Sequence, residues 1–337
     1  MSGSGRAVGL WLLGCSALLA VMVWLGGVTR LTHSGLSMVE WEPIVGLVPP
    51  LSEADWQRLF ALYRQTPEYL KINAGMGLEG FKGIFWLEYV HRLWGRLLGL
   101  AFLLPLLWFL GRGHIGRGLA LRLCGLFLLG AAQGGVGWLM VQSGLVDDPS
   151  VSPYRLTAHL CLALLIFAGM LWLALDQLGE SRPAGPMPVQ ALRPWLAVLC
   201  ALVALTIAFG GLVAGHHAGL IYNTWPLMEG RLIPDGLFPD GPASLVSDIK
   251  TVQFIHRCLA ETVVAVVLLG ALAWVRRRAS VPWQVQALPG MTLMQAGLGI
   301  ATLKEAVPVV LASAHQMGAM LLLALCLSGL HALRVRE

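Results

Sequence analysis

Long apolar runs separated by polar stretches dominate the pattern of this chain. Eight of them are long enough to cross about 30 Å of hydrocarbon as α-helices. They lie near 8–29, 84–110, 119–142, 154–176, 193–214, 250–275, 284–303 and 308–333. The first run is too long for a signal peptide, so we interpret it as a retained helix. The pattern therefore predicts an all-α polytopic membrane protein with eight transmembrane helices.

The composition agrees with this prediction and orients the chain. Only 12% of the residues are charged and 57% are hydrophobic, whereas soluble proteins average about 25% charged residues. Arginines concentrate on the side that holds both termini, which the positive-inside rule makes cytoplasmic. We therefore predict a multi-pass protein of a bacterial inner membrane, with the lipid bilayer as its surroundings and no nucleic-acid partner. All six cysteines fall inside predicted spans, so no disulfide framework is expected.

The two halves of the chain resemble each other. The stretch after the first span matches the stretch after the fifth at an offset of 184, in the pairs Gly26/Gly210, Gly27/Gly211, His33/His217, Gly35/Gly219, Leu36/Leu220 and Trp41/Trp225. Later matches are His91-Arg92 with His256-Arg257, Gln133 with Gln295, and His159 with His315. Each half has an even number of spans, which is typical of parallel repeats. We expect two pseudo-two-fold-related four-helix bundles.

The repeat also suggests domain boundaries. Residues 1–176 would form an N-terminal bundle with a long outer loop at 30–82, and residues 193–337 would form a C-terminal bundle. A linker rich in Pro and Gly, 177–192, would join them on the cytoplasmic side.

The stretch Phe81–Arg96 carries ionisable groups at the start of a predicted span. Glu88 and His91 are three residues apart and share one helical face, and Arg92 and Arg96 follow them. Ionisable groups at membrane depth are costly, so each is a functional hypothesis.

Four histidines occupy matching places in the even-numbered spans: His91, His159, His256 and His315. Each is predicted to lie roughly 10 Å into its helix from the outer end. Two such histidines facing each other across a four-helix bundle have the geometry for bis-imidazole ligation of a heme iron. The relative roles of His33 and His217 stay open, and His114, His216 and His331 have no such match.

Two other metal sites compete with heme. A di-iron carboxylate site needs the Glu-x-x-His motif twice and two further glutamates, but Gln253 replaces the acid in the second half. A zinc site lacks thiolate or carboxylate ligands. Heme is the better interpretation.

The difference between Glu88 and Gln253 predicts a division of labour. Oxidative chemistry benefits from an acid that can move a proton or stabilise developing charge, so we assign catalysis to the N-terminal bundle and a cofactor role to the C-terminal one. Cationic side chains that could neutralise heme propionates are Arg30, Arg92, Arg96, Arg155 and Arg257. Glycines in the third and seventh spans are compatible both with close helix packing and with room for a flat macrocycle.

Several motifs in order resemble the heme A synthase family of the mitochondrial and alphaproteobacterial type: Thr29–Met38, Phe81–Arg92, Val151–His159 and His315–Gln316. The resemblance covers nearly the whole chain. It implies that a peripheral methyl group of heme O is oxidised to a formyl group by successive hydroxylations, which gives heme A for cytochrome c oxidase.

The resemblance also implies roles for residues. Heme O would be held between His91 and His159, with Glu88 and His91 catalytic, and heme b would be held between His256 and His315. Candidate partners are an unidentified electron donor, heme O synthase and cytochrome c oxidase assembly factors. Two other classes of protein remain alternatives: a di-heme electron-transfer cytochrome b, and a heme transporter or chaperone that leaves heme O unmodified.

Overall fold

The computed structural model describes residues 3–40, 48–146, 148–179, 192–276 and 281–334. Those residues form helices and loops, with one isolated β-bridge between Met228 and Arg231 as the extended pairing among them. The helices are α1 Gly3–Leu31, α2 Glu53–Tyr63, α3 Pro67–Lys71, α4 Leu78–Gly111, α5 Arg117–Ser143, α6 Pro153–Leu178, α7 Leu192–Gly215, α8 Ala218–Ile221, α9 Ser244–Ser247, α10 Ile249–Arg276, α11 Trp283–Lys304 and α12 Val309–Ala332, with a 3₁₀ turn at Gly241–Ala243.

Seven of the described helices are long and apolar enough to cross a membrane: α1, α4, α5, α6, α7, α10 and α12. An all-helical membrane protein is thereby confirmed. The predicted span at 284–303 does coincide with a helix, α11, but α11 carries Pro289 and is not one of these seven. Eight spans in two related bundles therefore stay a prediction.

The chain divides into two compact units. An N-terminal unit comprises Cys15–Ile166, and a C-terminal unit comprises Met1–Gly14 with Phe167–Glu337. In the N-terminal unit α4 packs against α5 and α2, and the indole N–H of Trp94 in α4 donates to the Leu18 carbonyl of α1 at 2.9 Å. In the C-terminal unit α7 packs against α10 and α12, and α11 packs against the same two helices. Most of the predicted linker, 180–191, lies outside the described residues, and the predicted domain boundaries stay a prediction.

The long first outer loop contains two helices that we did not predict. Ser52 forms a capping box with Asp55 at the start of α2, and Thr66 caps α3 ahead of Pro67. α2 packs on the start of α4, which begins at Leu78 inside the predicted loop, and Tyr69 of α3 packs against the aromatic cluster at this contact. Aromatic side chains fill the interface and bury one another: Trp56, Tyr63, Phe81, Phe85 and Tyr89. The loop is therefore a folded cap above α4.

Candidate functional site

The N-terminal unit brings His91 of α4 and His159 of α6 together. The two imidazoles lie near enough to interact electrostatically. Their Nδ1 atoms are buried and make no hydrogen bond within the described residues. The carbonyl of His159 accepts a hydrogen bond of 2.9 Å from Nε2 of Gln133 in α5, which fixes that turn of α6. The predicted N-terminal histidine pair thus lies in one place.

The C-terminal unit contains the equivalent pair, His256 of α10 and His315 of α12, which also interact electrostatically. Here the rings have partners. Nδ1 of His256 lies 3.1 Å from the Thr206 carbonyl of α7, to which it donates. This bond leaves Nε2 as the lone-pair nitrogen, the state that a histidine needs in order to bind a metal. Nε2 of Gln295 in α11 lies 3.1 Å from Nδ1 of His315 and also donates to the His315 carbonyl at 2.9 Å.

A glycine faces the Cε1 edge of each of the four rings. A Cβ atom added to Gly26 would lie 3.0 Å from Cε1 of His91, and one on Gly137 would lie 2.8 Å from that of His159. The corresponding distances are 3.2 Å for Gly210 beside His256 and 2.8 Å for Gly299 beside His315. Since real Cβ atoms rarely approach other atoms so closely, a side chain at these positions would displace the imidazoles. These glycines make room for the rings.

Glu88 is buried beside the N-terminal pair, at 2% exposure, and accepts three hydrogen bonds. Its Oε2 accepts from the hydroxyl of Ser37 at 2.7 Å and from the backbone N–H of Met38 at 2.8 Å. Its Oε1 accepts from the guanidinium of Arg92, one turn along α4. One of the three donors is cationic, and hydrogen bonds from charged donors are the stronger kind.

The equivalent residue of the C-terminal unit is an amide in an equally buried place. Gln253 is 3% exposed, and its Oε1 has no hydrogen-bond partner among the described residues. The C-terminal site therefore lacks both the negative charge and the donor cluster of Glu88.

Two of the predicted arginines hold outer-loop backbone. Arg92 donates to the Met38 carbonyl at 3.0 Å and to the Glu40 carbonyl at 3.5 Å. Arg257 donates to the carbonyls of Tyr222 and Thr224, at 2.7 and 2.8 Å. Each arginine directly follows a histidine of the pair. It thus anchors the loop that precedes its own helix close to that histidine.

The other predicted cations are more scattered. Arg155 is exposed and donates to the Leu139 carbonyl at 2.6 Å. Arg30, near the end of α1, and Arg96, in the middle of α4, are partly buried. His33 and His217 take the left-handed conformation, with φ of 50° and 53°, where the helices before them end. Trp41 lies outside the described residues, so its predicted match with Trp225 has no structural counterpart here.

Sequence reasoning missed the partners that hold these groups. Glu88 is held by Ser37 and Met38, and His256 is held by Thr206; all three partners are distant in sequence. Two of these three bonds use backbone atoms, which carry no signal in the sequence. Gln133 and Gln295 did appear as a matched pair, and that repetition was the available signal for their role.

The described residues contain no group of three or more His, Cys, Asp or Glu side chains that could hold a metal ion. A di-iron carboxylate or structural zinc centre requires such a group. A heme iron needs at most two protein ligands, and paired histidines meet that requirement.

Comparison with known proteins gives consistent matches over nearly the whole chain. The model of a family described as cytochrome oxidase assembly protein matches residues 9–327. The chain is 60% identical over 337 residues to a heme A synthase of Paramagnetospirillum magneticum, covering 98% of this chain and 94% of that protein. It is 50% identical over 338 residues to a heme A synthase of Nitrosospira multiformis, with the same two coverages. Identity to a heme A synthase of Rhodospirillum centenum is 47% over 338 residues, covering 98% and 90%.

Proposed function

We propose, from the premise that this chain belongs to the cytochrome oxidase assembly protein family, that it is a heme A synthase. Its substrate is heme O, and its product is heme A for cytochrome c oxidase. The reaction oxidises a peripheral methyl group of heme O to a formyl group by successive hydroxylations. The observation that carries this proposal is the pair of histidine sites, of which one has a buried carboxylate and the other an amide.

Heme O binds in the N-terminal unit, between His91 and His159. The fit of a heme there is supported by the glycines against both rings and by the buried Nδ1 atoms without partners. Glu88 lies one turn from His91 on the same helix, on the side covered by the outer loop. It serves as a proton acceptor, or as the negative charge that stabilises positive charge developing on the oxidised methyl group. Glu88 and His91 are the catalytic residues.

His256 and His315 would hold heme b as the resident cofactor of the C-terminal unit. When bound, it supplies one-electron transfer. The bond from His256 to the Thr206 carbonyl supports this assignment, because it holds the ring in the tautomer that can ligate iron. Gln253 cannot take part in proton transfer, which suits a site that only carries electrons.

The arginines divide into two groups. Arg92 and Arg257 fix the outer loops over the two sites, and Arg92 also stabilises the charge of Glu88. Arg30, Arg96 and Arg155 are the cations proposed to neutralise the heme propionates.

The protein spans the inner membrane of a bacterium eight times, with α11 as the additional span. Both termini are cytoplasmic, because arginines concentrate on that side. Residues 1–176 and 193–337 form two related four-helix bundles joined by the linker 177–192. The functional partners are an electron donor, heme O synthase and cytochrome c oxidase assembly factors.

Heme extraction and chromatography test the proposal. Cells that supply heme O and express the wild-type protein should accumulate heme A, and His91→Ala should abolish it. His114→Ala, which changes an exposed histidine with no counterpart in the other half, is the matched control and should make heme A normally. Heme b without heme A in the wild type would indicate a di-heme cytochrome instead. Bound heme O that stays unmodified would indicate a heme carrier.

A further inference from the structure

The cap formed by α2 and α3 contains a second buried carboxyl group, Glu68, which the proposed reaction does not use. Glu68 is 2% exposed. Its Oε2 accepts one long hydrogen bond, 3.3 Å, from the hydroxyl of Tyr63. That hydroxyl is buried as well and accepts a bond of 2.7 Å from Nδ2 of Asn73. Burial of a carboxylate with so little compensation is unfavourable, so packing alone does not explain an acid at this position.

The charged groups around Glu68 do not neutralise it. None of the ion pairs in the described part of the outer loop includes Glu68. Arg64 of α2 lies instead over the rings of Phe60 and Tyr69. On its own helix the nearby titratable groups are Tyr69 and Lys71, and Tyr63 faces it from α2. From α4 the carboxylate of Glu88, itself paired with Arg92, lies near enough to disfavour a second negative charge.

These surroundings make Glu68 a group that titrates near neutrality. Burial is the main cause that raises its pKa, to about 7, and the charge of Glu88 raises it further, whereas the bond from Tyr63 opposes the rise. Glu88, by contrast, accepts three hydrogen bonds, one of them from the guanidinium of Arg92. Glu68 of the cap and Glu88 of α4 are thus both buried but differ in the number of donors around them.

We propose that Glu68 is a positioning residue for the N-terminal site, which exchanges protons with the outer solution in response to the charge of Glu88. When Glu88 takes up a proton, the charge that opposes ionisation of Glu68 disappears, and Glu68 releases its own proton to water. The pair keeps the same number of protons, and no electron moves. This inference rests on the proposed function, since it assumes that Glu88 changes protonation during the reaction.

Infrared spectroscopy of the full-length protein in lipid nanodiscs tests the protonation directly and requires no turnover. A band of a protonated carboxyl group should titrate with a midpoint near pH 7. Glu68→Gln should remove it, whereas Glu79→Gln, which changes an exposed acid of the same loop region, should leave it unchanged. Tyr63→Phe removes the hydrogen bond that lowers the pKa of Glu68, so it should move the midpoint to higher pH. A band that survives Glu68→Gln, or a midpoint that Tyr63→Phe does not move, would overturn the inference.

The pH profile of heme A formation supplies the second readout. The rate of heme A formation by the wild-type protein should change as the pH crosses 7. Glu68→Gln should remove that change while the heme content stays normal. A superimposable profile would mean that Glu68 only stabilises the cap. If the infrared band behaves as expected but the wild type makes no heme A, the proposed function fails and the titration of Glu68 stands.

The same titration has a consequence for folding. Because the pKa of Glu68 is raised above its usual 4.5 in the folded protein, the folded state binds more protons than the unfolded state between about pH 4.5 and 7. The stability of the cap should therefore fall as pH rises through that interval. Glu68→Gln should remove this dependence, which protection of the cap from proteolysis can measure. Wild-type protection that is unchanged from pH 4.5 to 7 would contradict the inference.

Discussion

The two histidine sites share one frame and differ in a few contacts. In each unit an arginine directly after the first histidine donates to two carbonyls of the preceding outer loop, Met38 and Glu40 in one case and Tyr222 and Thr224 in the other. These carbonyls are related by the same offset, 184, that relates the glycine and histidine matches of the sequence. The arginine contacts to these loops therefore correspond in the two halves, and we expect any difference in function to come from the contacts that differ.

The first difference is the residue three positions before the first histidine. Glu88 and Gln253 are equally buried, but Glu88 has three donors and the Oε1 atom of Gln253 has no partner. Three donors around one carboxylate stabilise a negative charge that would otherwise be unfavourable inside the membrane. The N-terminal unit thus surrounds an acid with donors where the C-terminal unit has an amide.

The second difference lies in how the rings are held. Nδ1 of His256 donates to a carbonyl, and Nε2 of Gln295 lies at Nδ1 of His315. Within the described parts of the chain, Nδ1 of His91 and of His159 has no hydrogen-bond partner. A partner that fixes the ring of a ligating histidine strengthens metal binding, and one that accepts its Nδ1 proton, as the Thr206 carbonyl does for His256, also raises ligand basicity. Rings held in this way fit the proposal that heme b stays bound in the C-terminal unit. Rings without such bonds fit the proposal that heme O binds in the N-terminal unit and leaves after oxidation.

Removing a fixed ligand should give the largest effect. His256→Ala is expected to lose heme b almost completely and, with it, heme A formation, because one of two axial ligands is gone. The purified variant, examined by its absorption spectrum and by heme extraction, should still retain heme O at the N-terminal site. Heme b retained at wild-type level would show that His256 is not a ligand.

Replacing the acid tests the difference between Glu88 and Gln253. Glu88→Gln should lower heme A formation by about 100-fold or more, the range of general acid–base contributions, with heme binding preserved. The reciprocal variant Gln253→Glu places an acid in the C-terminal site and should leave heme A formation within about twofold, since the chemistry occurs elsewhere. Normal heme A from Glu88→Gln would remove Glu88 from the mechanism.

The glycines against the rings give a smaller effect with an internal control. Gly137→Ala places a Cβ 2.8 Å from Cε1 of His159, so the ring must shift and heme A formation should fall on the order of 10-fold to 100-fold. Gly135→Ala, two residues away on the same helix, meets nothing within 4 Å and should be neutral. Equal losses from both variants would point to general helix packing rather than to the histidine.

The sequence predicted the elements that follow from apolar length and from charge at membrane depth. The runs that became α1, α4 and α10 were identified, and so were Glu88 and the four histidines, because each breaks an apolar pattern. The folded cap at 53–71 was missed because its helices, of 11 and 5 residues, are too short to stand out as membrane spans, although Ser52 and Thr66 carry capping signals. Contacts through backbone atoms, such as Met38 N–H on Glu88, depend on tertiary folding and have no signature along the chain.

The matched glutamines provide the finest test of the comparison. Gln133 and Gln295 each donate to the carbonyl of their histidine at 2.9 Å, but Gln295 also reaches Nδ1 of His315. Loss of a hydrogen bond that orients a metal-binding histidine typically weakens metal binding by 10-fold or more. Gln295→Leu should therefore release heme b about tenfold more readily, measured by transfer to an external heme acceptor. Gln133→Leu removes only a backbone contact and should change heme O binding by less. Equal effects of the two substitutions would mean that both glutamines act on the helix backbone, and that the Nδ1 contact does not distinguish a resident heme from a substrate.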